Sequence, residues 1–276
     1  MSLHSFQNWS EELQFQEKQP VLFIGHGSPM NAIEDNLFTS TWSQFGKDLP
    51  QPTAVLVISA HWLTNGTHVT AMEKPRTIHD FGGFPQALFE VEYPANGSPA
   101  LAKAAKKIIT STNVGLDHEW GLDHGTWSVV KHMYPNADIP VLQLSIDYNK
   151  PAQYHFDLAK QLKALRNKGV LIIGSGNMVH NLRMVAWDKL NEPEYGFDWA
   201  FEMNAIFKDK IENNDSKALI NYQKLNKASL LAIPSPDHYY PLLYAMALQD
   251  EKDSVSFFND KIVGGSLTMT SVKWGN

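Results

Sequence analysis

The 276-residue sequence contains no cysteine. This absence excludes disulfide bonds, thiolate zinc sites, iron–sulfur clusters and a cysteine nucleophile, so any bound metal must be held by histidine, aspartate or glutamate. Basic residues are also fewer than acidic ones: the chain has 23 Lys and Arg but 29 Asp and Glu, which gives a net charge of −6. Proteins that bind nucleic acids usually carry a basic surface, so the charge argues against a nucleic-acid partner.

Long apolar runs are missing too. No stretch of about 18 apolar residues occurs, which predicts that no helix spans a membrane. The first twenty residues lack the basic start and apolar centre of a secretory signal. Together with the absence of cysteine, these features predict a cytoplasmic protein.

The composition that remains is that of an ordinary globular protein, with 43% hydrophobic and 19% charged residues. Neither an internal repeat nor a long Pro/Gly/Ser linker interrupts the chain. We therefore expect a single domain that spans residues 1–276.

Short apolar runs rich in Val, Ile and Leu predict strands that are buried on both faces. These runs are Val21–Ile24, Ala54–Ser59, Val141–Ile146, Val170–Ile173 and Leu230–Ile233. Two later segments, Ser254–Phe258 and Ser266–Val272, alternate polar and apolar residues and predict a hairpin through Gly264 and Gly265.

The segments between these runs have apolar residues at the spacing of a helix. The predicted helices are Ser98–Thr110, Ala152–Asn167, Glu194–Asn213 and Tyr239–Gln249. Strands that alternate with helices indicate an α/β fold, with a central and mostly parallel sheet flanked by helices.

Four of the 11 histidines come shortly after predicted strands. They are His26, His61, His180 and His238. Ligands of open parallel sheets bind at the carboxyl edge of the strands, and imidazole is a common transition-metal ligand. The pattern favours a mononuclear, histidine-rich metal site at that edge, although each histidine taken singly is also typical of an ordinary structural residue.

Other catalytic motifs are absent or incomplete. There is no HExxH pair, which excludes the zincin arrangement. The glycine-rich turn at Gly174 and Gly176 lacks the third glycine of GxGxxG because residue 179 is Val, and the segment around His26 lacks the GxSxG order of a serine hydrolase.

Six motifs, in order along the chain, resemble those of the class III extradiol ring-cleaving dioxygenases, and most of all the DOPA dioxygenase branch. The motifs are GHGSPMNA (25–32), ISAHW (58–62), IHDFGGFP (78–85), LDHGTW (122–127), GSGNMVHNL (174–182) and PSPDHYYPLLYA (234–245). The resemblance implies a single-domain enzyme that opens a catechol ring beside its two hydroxyls, using O₂ and a mononuclear metal.

The resemblance also implies roles for individual histidines. His26 and His61 match the two metal histidines, and His238 replaces the carboxylate that distant relatives use as third ligand, so the metal site is expected to be more positive. Iron(II) is the metal expected for catalysis, and zinc(II) is a metal that such a site also binds. His180 matches the acid/base histidine and His124 a second active-site histidine.

Candidate substrate contacts are less specific. His79, Asp80 and Phe81 lie in a loop suited to an aromatic ring, although its Phe residues are equally suited to covering the core. Tyr239 is a candidate for a hydrogen bond to the substrate or, alternatively, an anchor for the helix that follows. Ser175 and Asn177 are candidates for orienting His180 or, alternatively, for simply shaping the turn.

These observations predict a dioxygenase that converts a small catechol, L-DOPA above all, to a 4,5-seco product with O₂. We expect a monomer or a small homo-oligomer. Two alternatives use the same fold: a zinc hydrolase with the same histidines, and a binding protein without catalytic activity. The presence of both His180 and His124 argues against the second.

Overall fold

The computed structural model describes residues 17–275. Its strands are β1 Val21–Gly25, β2 Ala54–Ser59, β3 Leu63–Thr64, β4 Thr67–Thr70, β5 Val114–Asp117, β6 Val141–Gln143, β7 Ile146–Asp147, β8 Val170–Gly176, β9 Val255–Phe258, β10 Ile262–Val263, β11 Leu267–Thr268 and β12 Ser271–Trp274. The central sheet has the order β6-β2-β8-β1-β12-β9, in which the first four strands are parallel and the last two are antiparallel to their neighbours. The predicted α/β fold with a mostly parallel sheet is confirmed.

Helices cover both faces of this sheet. The α-helices are α1 Leu37–Asp48, α2 Gln86–Phe89, α3 Pro99–Ile108, α4 His124–Met133, α5 Ala152–Lys160, α6 Asp198–Glu212, α7 Ser216–Ile220, α8 Ser229–Ala232 and α9 Tyr240–Ala247. Short 3₁₀ helices occur at Pro29–Ala32, Lys163–Lys168, Leu182–Met184, Trp187–Lys189 and Tyr222–Lys224. Within residues 17–275, none of the helices is both long and apolar enough to cross a membrane.

The central strands divide their side chains between two apolar clusters. In β1, Val21 and Phe23 join the cluster that contains α5 and α9, whereas Leu22 and Ile24 join the cluster that contains α1 and α4. Successive side chains of a strand point to opposite faces, so a strand covered on both sides must be apolar throughout. This requirement explains why these strands appear in the sequence as unbroken apolar runs.

The predicted strand at Leu230–Ile233 is wrong. Residues Ser229–Ala232 form the short helix α8. Its N-cap Ala228 and its last residue Ala232 are buried, while Leu230 and Leu231 are 61% and 37% exposed. Burial at a spacing of four residues is the pattern of a helix rather than of a strand. The Val141–Ile146 run is also divided, between β6 and β7.

Two other predicted elements differ in detail. Gly264 and Gly265, both with positive φ, form the turn between β10 and β11. The strands on either side of this small hairpin, β9 and β12, pair with each other in the central sheet. The predicted helix at Ala152–Asn167 ends earlier, at Lys160, and a 3₁₀ segment continues to Gly169.

Candidate metal centre and active site

Five histidines meet at the carboxyl edge of the parallel strands. His26 directly follows β1, His61 lies two residues after β2, and His180 lies four residues after β8. His124 is the first residue of α4, and His238 lies in the turn between α8 and α9. The predicted placement after a strand is thus correct for three histidines and wrong for His238, because the segment before it is helical.

His26, His61 and His238 form a nearly equilateral triangle. Their ring centroids lie 5.0 Å (His26 to His61), 5.3 Å (His26 to His238) and 4.9 Å (His61 to His238) apart. Two imidazoles bound through nitrogen to one tetrahedral metal at ~2.1 Å have ring centres roughly 5 Å apart. The ring spacing of the three ligands that the resemblance implies is compatible with a single metal ion. The ligand atoms of His26 and His61 also lie within 4.8 Å of one of His124, whereas that of His238 groups with those of His180 and Asp237.

Hydrogen bonds fix which nitrogen of His26 faces the centre of this triangle. The Ser175 hydroxyl donates to the Gly125 carbonyl at 2.5 Å, so its oxygen accepts from His26 Nδ1–H at 3.0 Å. The proton of the neutral ring is then on Nδ1, and Nε2 carries the free lone pair. Partners of this kind orient metal-binding histidines in many sites.

A carboxylate lies beside Nδ1 of each of the other two rings, hydrogen-bonded to His238 and at ion-pair distance from His61. Asp237 Oδ2 lies 2.5 Å from His238 Nδ1, and Asp80 Oδ2 lies 3.3 Å from His61 Nδ1. A carboxylate beside Nδ1 favours the proton on that nitrogen and leaves Nε2 as the ligand atom.

The facing nitrogens of His26 and His61 show why a cation fits here. Their Nε2 atoms are 3.1 Å apart, and both are lone-pair acceptors once Nδ1 holds the proton. Burial, reinforced by the neighbouring histidines, lowers the pKa of both rings well below 6.5, so a bridging proton is not stable at neutral pH. A divalent metal held by His26 and His61 would remove this repulsion, so the donor set fits a metal of the kind that the resemblance implies.

Two acidic residues near the histidines would compensate the charge of a divalent ion at this site. Burial acts to raise the pKa of Asp80 and of Asp237, but hydrogen bonds from His124 and His238 outweigh burial and lower both pKa values. Both carboxylates are therefore ionised at neutral pH. The expectation that three neutral ligands make the site more positive than one with a carboxylate ligand stays a prediction, and these two carboxylates lie behind the histidines rather than among the proposed ligands.

His124 is held by a buried acidic network at the start of α4. Asp123 is the N-cap of this helix and accepts a hydrogen bond from the Thr126 amide, as expected for a capping aspartate. It also accepts from the Ser59 hydroxyl and the Gln143 amide, each at 2.6 Å. Burial and the nearby Asp80 charge raise the pKa of Asp123. The network ties α4 to the ends of β2 and β6.

His180 lies against the ring of His238. The two rings are parallel, with centroids 3.6 Å apart and an interplanar angle of 5°. Burial and the adjacent His238 lower the pKa of His180 to about 3. The predicted support from Ser175 and Asn177 is wrong, because Ser175 contacts His26 and the Asn177 amide donates to the Thr268 carbonyl.

Aromatic side chains form one wall beside His124. The Phe81 ring lies 5.6 Å from the His124 ring, 5.4 Å from Phe84 and 5.1 Å from Phe89. His79 lies behind Phe81 and is hydrogen-bonded through Nε2 to the Val91 carbonyl at 3.0 Å. The structure thus brings Phe81 to the histidine cluster and places His79 one layer farther out.

Tyr239 is not brought to the cluster. Its side chain is fully buried, its hydroxyl donates to the Leu219 carbonyl at 2.8 Å, and its ring packs on Phe207 and Tyr222. Burial, with a smaller effect of Tyr222, raises its pKa well above 10. These contacts favour the anchoring alternative over a substrate contact.

Sequence reasoning missed several supporting residues. Asp123 could have been found, since an aspartate directly before a helical segment is a typical N-cap. Ser59, Gln143 and the contact of Ser175 with His26 carry no local signal, because their partners are distant in the chain.

Residues 20–270 match a protein family described as the catalytic LigB subunit of aromatic ring-opening dioxygenase. The chain belongs to this family. It is an oxidoreductase of the extradiol dioxygenase type, as its relatives are named.

Named relatives of this LigB-family chain align with it over nearly their whole length. A protein named 4,5-DOPA dioxygenase extradiol from Escherichia coli (strain K12) is 48% identical over 262 residues, which cover 94% of this chain and 95% of that protein. A protein of the same name from Beta vulgaris is 35% identical and covers 92% of this chain and 96% of its own length. This chain is also similar to an uncharacterized protein from Escherichia coli K12 whose crystal structure is known. The two share 42% sequence identity, the match covers 93% of this chain and 100% of that chain, and the TM-score is 0.81.

Proposed function

We propose that this enzyme opens the ring of a catechol next to its two hydroxyls, at a mononuclear divalent metal held by His26, His61 and His238. The observation that carries the proposal is the triangle of these three rings, with the Nε2 lone pairs of His26 and His61 facing each other at 3.1 Å. L-DOPA is the proposed substrate and a 4,5-seco-DOPA the product, which agrees with the names of the relatives.

The metal proposed for catalysis is iron(II). When bound, iron supplies the redox chemistry that joins a catechol to dioxygen, whereas zinc, which the same nitrogens also bind, has no redox chemistry. Three neutral imidazole ligands leave positions open for exogenous ligands, as catalytic metal sites generally do.

His180 is the proposed acid/base residue. Its ring nitrogens are hydrogen-bonded to no other residue within the described part of the chain, and burial keeps the ring neutral, so a nitrogen lone pair is free to take the second catechol proton. The same nitrogen then returns the proton as the ring opens. A positioned acid/base group of this kind contributes about 10²–10⁴ in rate.

His124 and Phe81 complete the proposed site. His124 donates Nδ1–H to Asp80, which leaves the Nε2 lone pair to accept a hydrogen bond from a catechol hydroxyl. Phe81, beside His124, offers an apolar face to the catechol ring.

The test is reconstitution of metal-free protein with iron(II) or zinc(II) under anaerobic conditions, followed by L-DOPA and air. We expect oxygen uptake and a yellow ring-opened product with iron only. His26→Ala and His61→Ala should lose both metal and activity, whereas His118→Ala, at an exposed histidine, should retain both. Unchanged metal content in His26→Ala or His61→Ala would refute the proposed site, and tight iron binding without oxygen uptake would direct the search to hydrolysable substrates.

A further inference from the structure

A single carboxylate serves two histidines of the cluster. Asp80 Oδ1 accepts the His124 backbone N–H at 2.9 Å, and Asp80 Oδ2 accepts His124 Nδ1–H at 3.0 Å. The same Oδ2 lies 3.3 Å from His61 Nδ1. The Asp80 side chain is only 15% exposed, so these contacts occupy most of what it presents.

We propose that Asp80 is a positioning residue that fixes the proton on Nδ1 of both His61 and His124. It thereby sets which nitrogen the metal ligand and the second active-site histidine present to the reacting groups. The sequence had suggested Asp80 as a substrate contact, but both of its oxygens already have protein partners. The inference deepens the proposed function and rests on it for the roles of the two histidines.

The chemistry of the carboxylate explains why aspartate is needed. An ionised carboxylate only accepts hydrogen bonds, so Oδ2 holds the Nδ1–H of His124 and, at 3.3 Å, favours the proton on Nδ1 of His61. The two rings are themselves close, with centroids 3.9 Å apart. Because one oxygen serves both, a change at this atom alters the proton position in a metal ligand and in a neighbouring active-site residue at once.

An amide at this position would act in the opposite sense. In Asp80→Asn the His124 backbone N–H still requires an acceptor, so the amide oxygen takes the place of Oδ1 and the NH₂ group takes the place of Oδ2. That NH₂ group donates to Nδ1, which moves the ring proton to Nε2 and blocks the ligand atom. Asp80→Ala removes the acceptor without imposing the wrong tautomer.

The two variants therefore separate proton positioning from packing. If Asp80 only fills space, the isosteric Asp80→Asn is milder than Asp80→Ala. If Asp80 places protons, Asp80→Asn binds metal at least as poorly as Asp80→Ala, with a loss of about 10–100-fold, as is usual for residues that orient metal ligands. Zinc(II) affinity, measured by competition with a chelator, gives this comparison without any catalytic readout.

Histidine tautomers give a second, independent readout. Long-range ¹H–¹⁵N spectra of the metal-free protein distinguish Nδ1–H from Nε2–H, and we expect the His61 and His124 signals to exchange these states in Asp80→Asn. Asp237→Asn, whose carboxylate contacts His238, should weaken zinc binding but leave the His124 signal unchanged. Glu90→Gln, an exposed acidic residue in the same loop region, serves as the neutral control.

Wild-type zinc affinity in Asp80→Asn, or unchanged His61 and His124 tautomers in a folded Asp80→Asn protein, would overturn the inference. Should Asp80→Asn not fold, Asp80→Ala replaces it, and retention of Nδ1–H on both rings there would be the contrary result. These readouts do not involve ring cleavage. Wild-type protein that binds metal and shows the expected tautomers without consuming oxygen would refute the proposed function and leave the role of Asp80 intact.

Discussion

The ring of His180 lies parallel to that of His238, with centroids 3.6 Å apart. This stacking places the proposed acid/base residue directly against a proposed metal ligand, yet neither ring depends on the other for a hydrogen bond, since His238 is held through Asp237. Proton transfer and metal binding can therefore be separated by substitution.

We expect His180→Gln to retain its metal while turnover of L-DOPA falls by about 10²–10⁴-fold, the usual contribution of a positioned acid/base group. Metal content and oxygen uptake, measured on the same iron-loaded sample, test this. Loss of the metal from His180→Gln would instead identify His180 as a ligand.

Ser175→Ala removes the acceptor that keeps the proton of His26 on Nδ1. We expect metal affinity to fall by about 10-fold or more, in line with other residues that orient ligands. Chelator competition measures the change, and Ser256→Ala, at an exposed position of β9, is the matched control. Equal affinities in the two variants would show that Ser175 has no part in orienting His26.

Phe81→Ala should raise KM for L-DOPA about 10-fold, because an aromatic contact contributes roughly 0.5–1.5 kcal/mol beyond its buried area. Metal content should not change, since Phe81 contacts His124 rather than the three proposed ligands. Steady-state oxygen uptake gives KM and kcat separately, and Phe201→Ala, at a 44% exposed phenylalanine, is the control. An unchanged KM would favour the alternative in which Phe81 only covers the core.

The sequence predicted the sheet and the strand-end histidines because both leave local signals. An unbroken apolar run indicates a strand buried on two faces, and His26 and His61 lie within two residues of the ends of such strands. The orienting partners leave no such signal, since Ser175 is 149 residues from His26 and Asp80 is 44 residues from His124. The strand predicted at Leu230–Ile233 was wrong for a different reason. A run of four apolar residues is compatible with a strand and with a short helix, and only the pattern of buried residues distinguishes the two.

Tyr239→Phe tests the anchoring role of Tyr239. The substitution removes the hydroxyl that donates to the buried Leu219 carbonyl, which keeps only the Asn221 backbone N–H, so we expect a loss of about 1 kcal/mol in the free energy of unfolding. KM for L-DOPA should be unaffected. Urea unfolding and steady-state kinetics make the two measurements, and a raised KM with normal stability would restore the substrate-contact interpretation.

His155 provides a pH-dependent test of the core away from the metal centre. The His155 side chain is fully buried, and its ring packs against Tyr240. Its Nδ1 is hydrogen-bonded to the Tyr244 hydroxyl and its Nε2 to the Lys150 carbonyl. The Asp147 carboxylate is close enough to favour the protonated ring. Burial lowers its pKa from 6.5 to about 4, and the partial compensation by Lys150 and Asp147 does not reverse this. The unfolded chain therefore takes up the proton first as the pH falls.

The stability that depends on neutral His155 is complete above pH 6.5 and is lost as the pH falls toward 4. For these two pKa values, the loss between pH 7.5 and pH 5.0 is about 2 kcal/mol. We expect His155→Gln to be less stable than wild type at pH 7.5 but to lose about 2 kcal/mol less on acidification, whereas the exposed variant His118→Gln should follow wild type. Urea unfolding at both pH values measures the difference, and parallel losses in wild type and His155→Gln would show that His155 does not titrate between them.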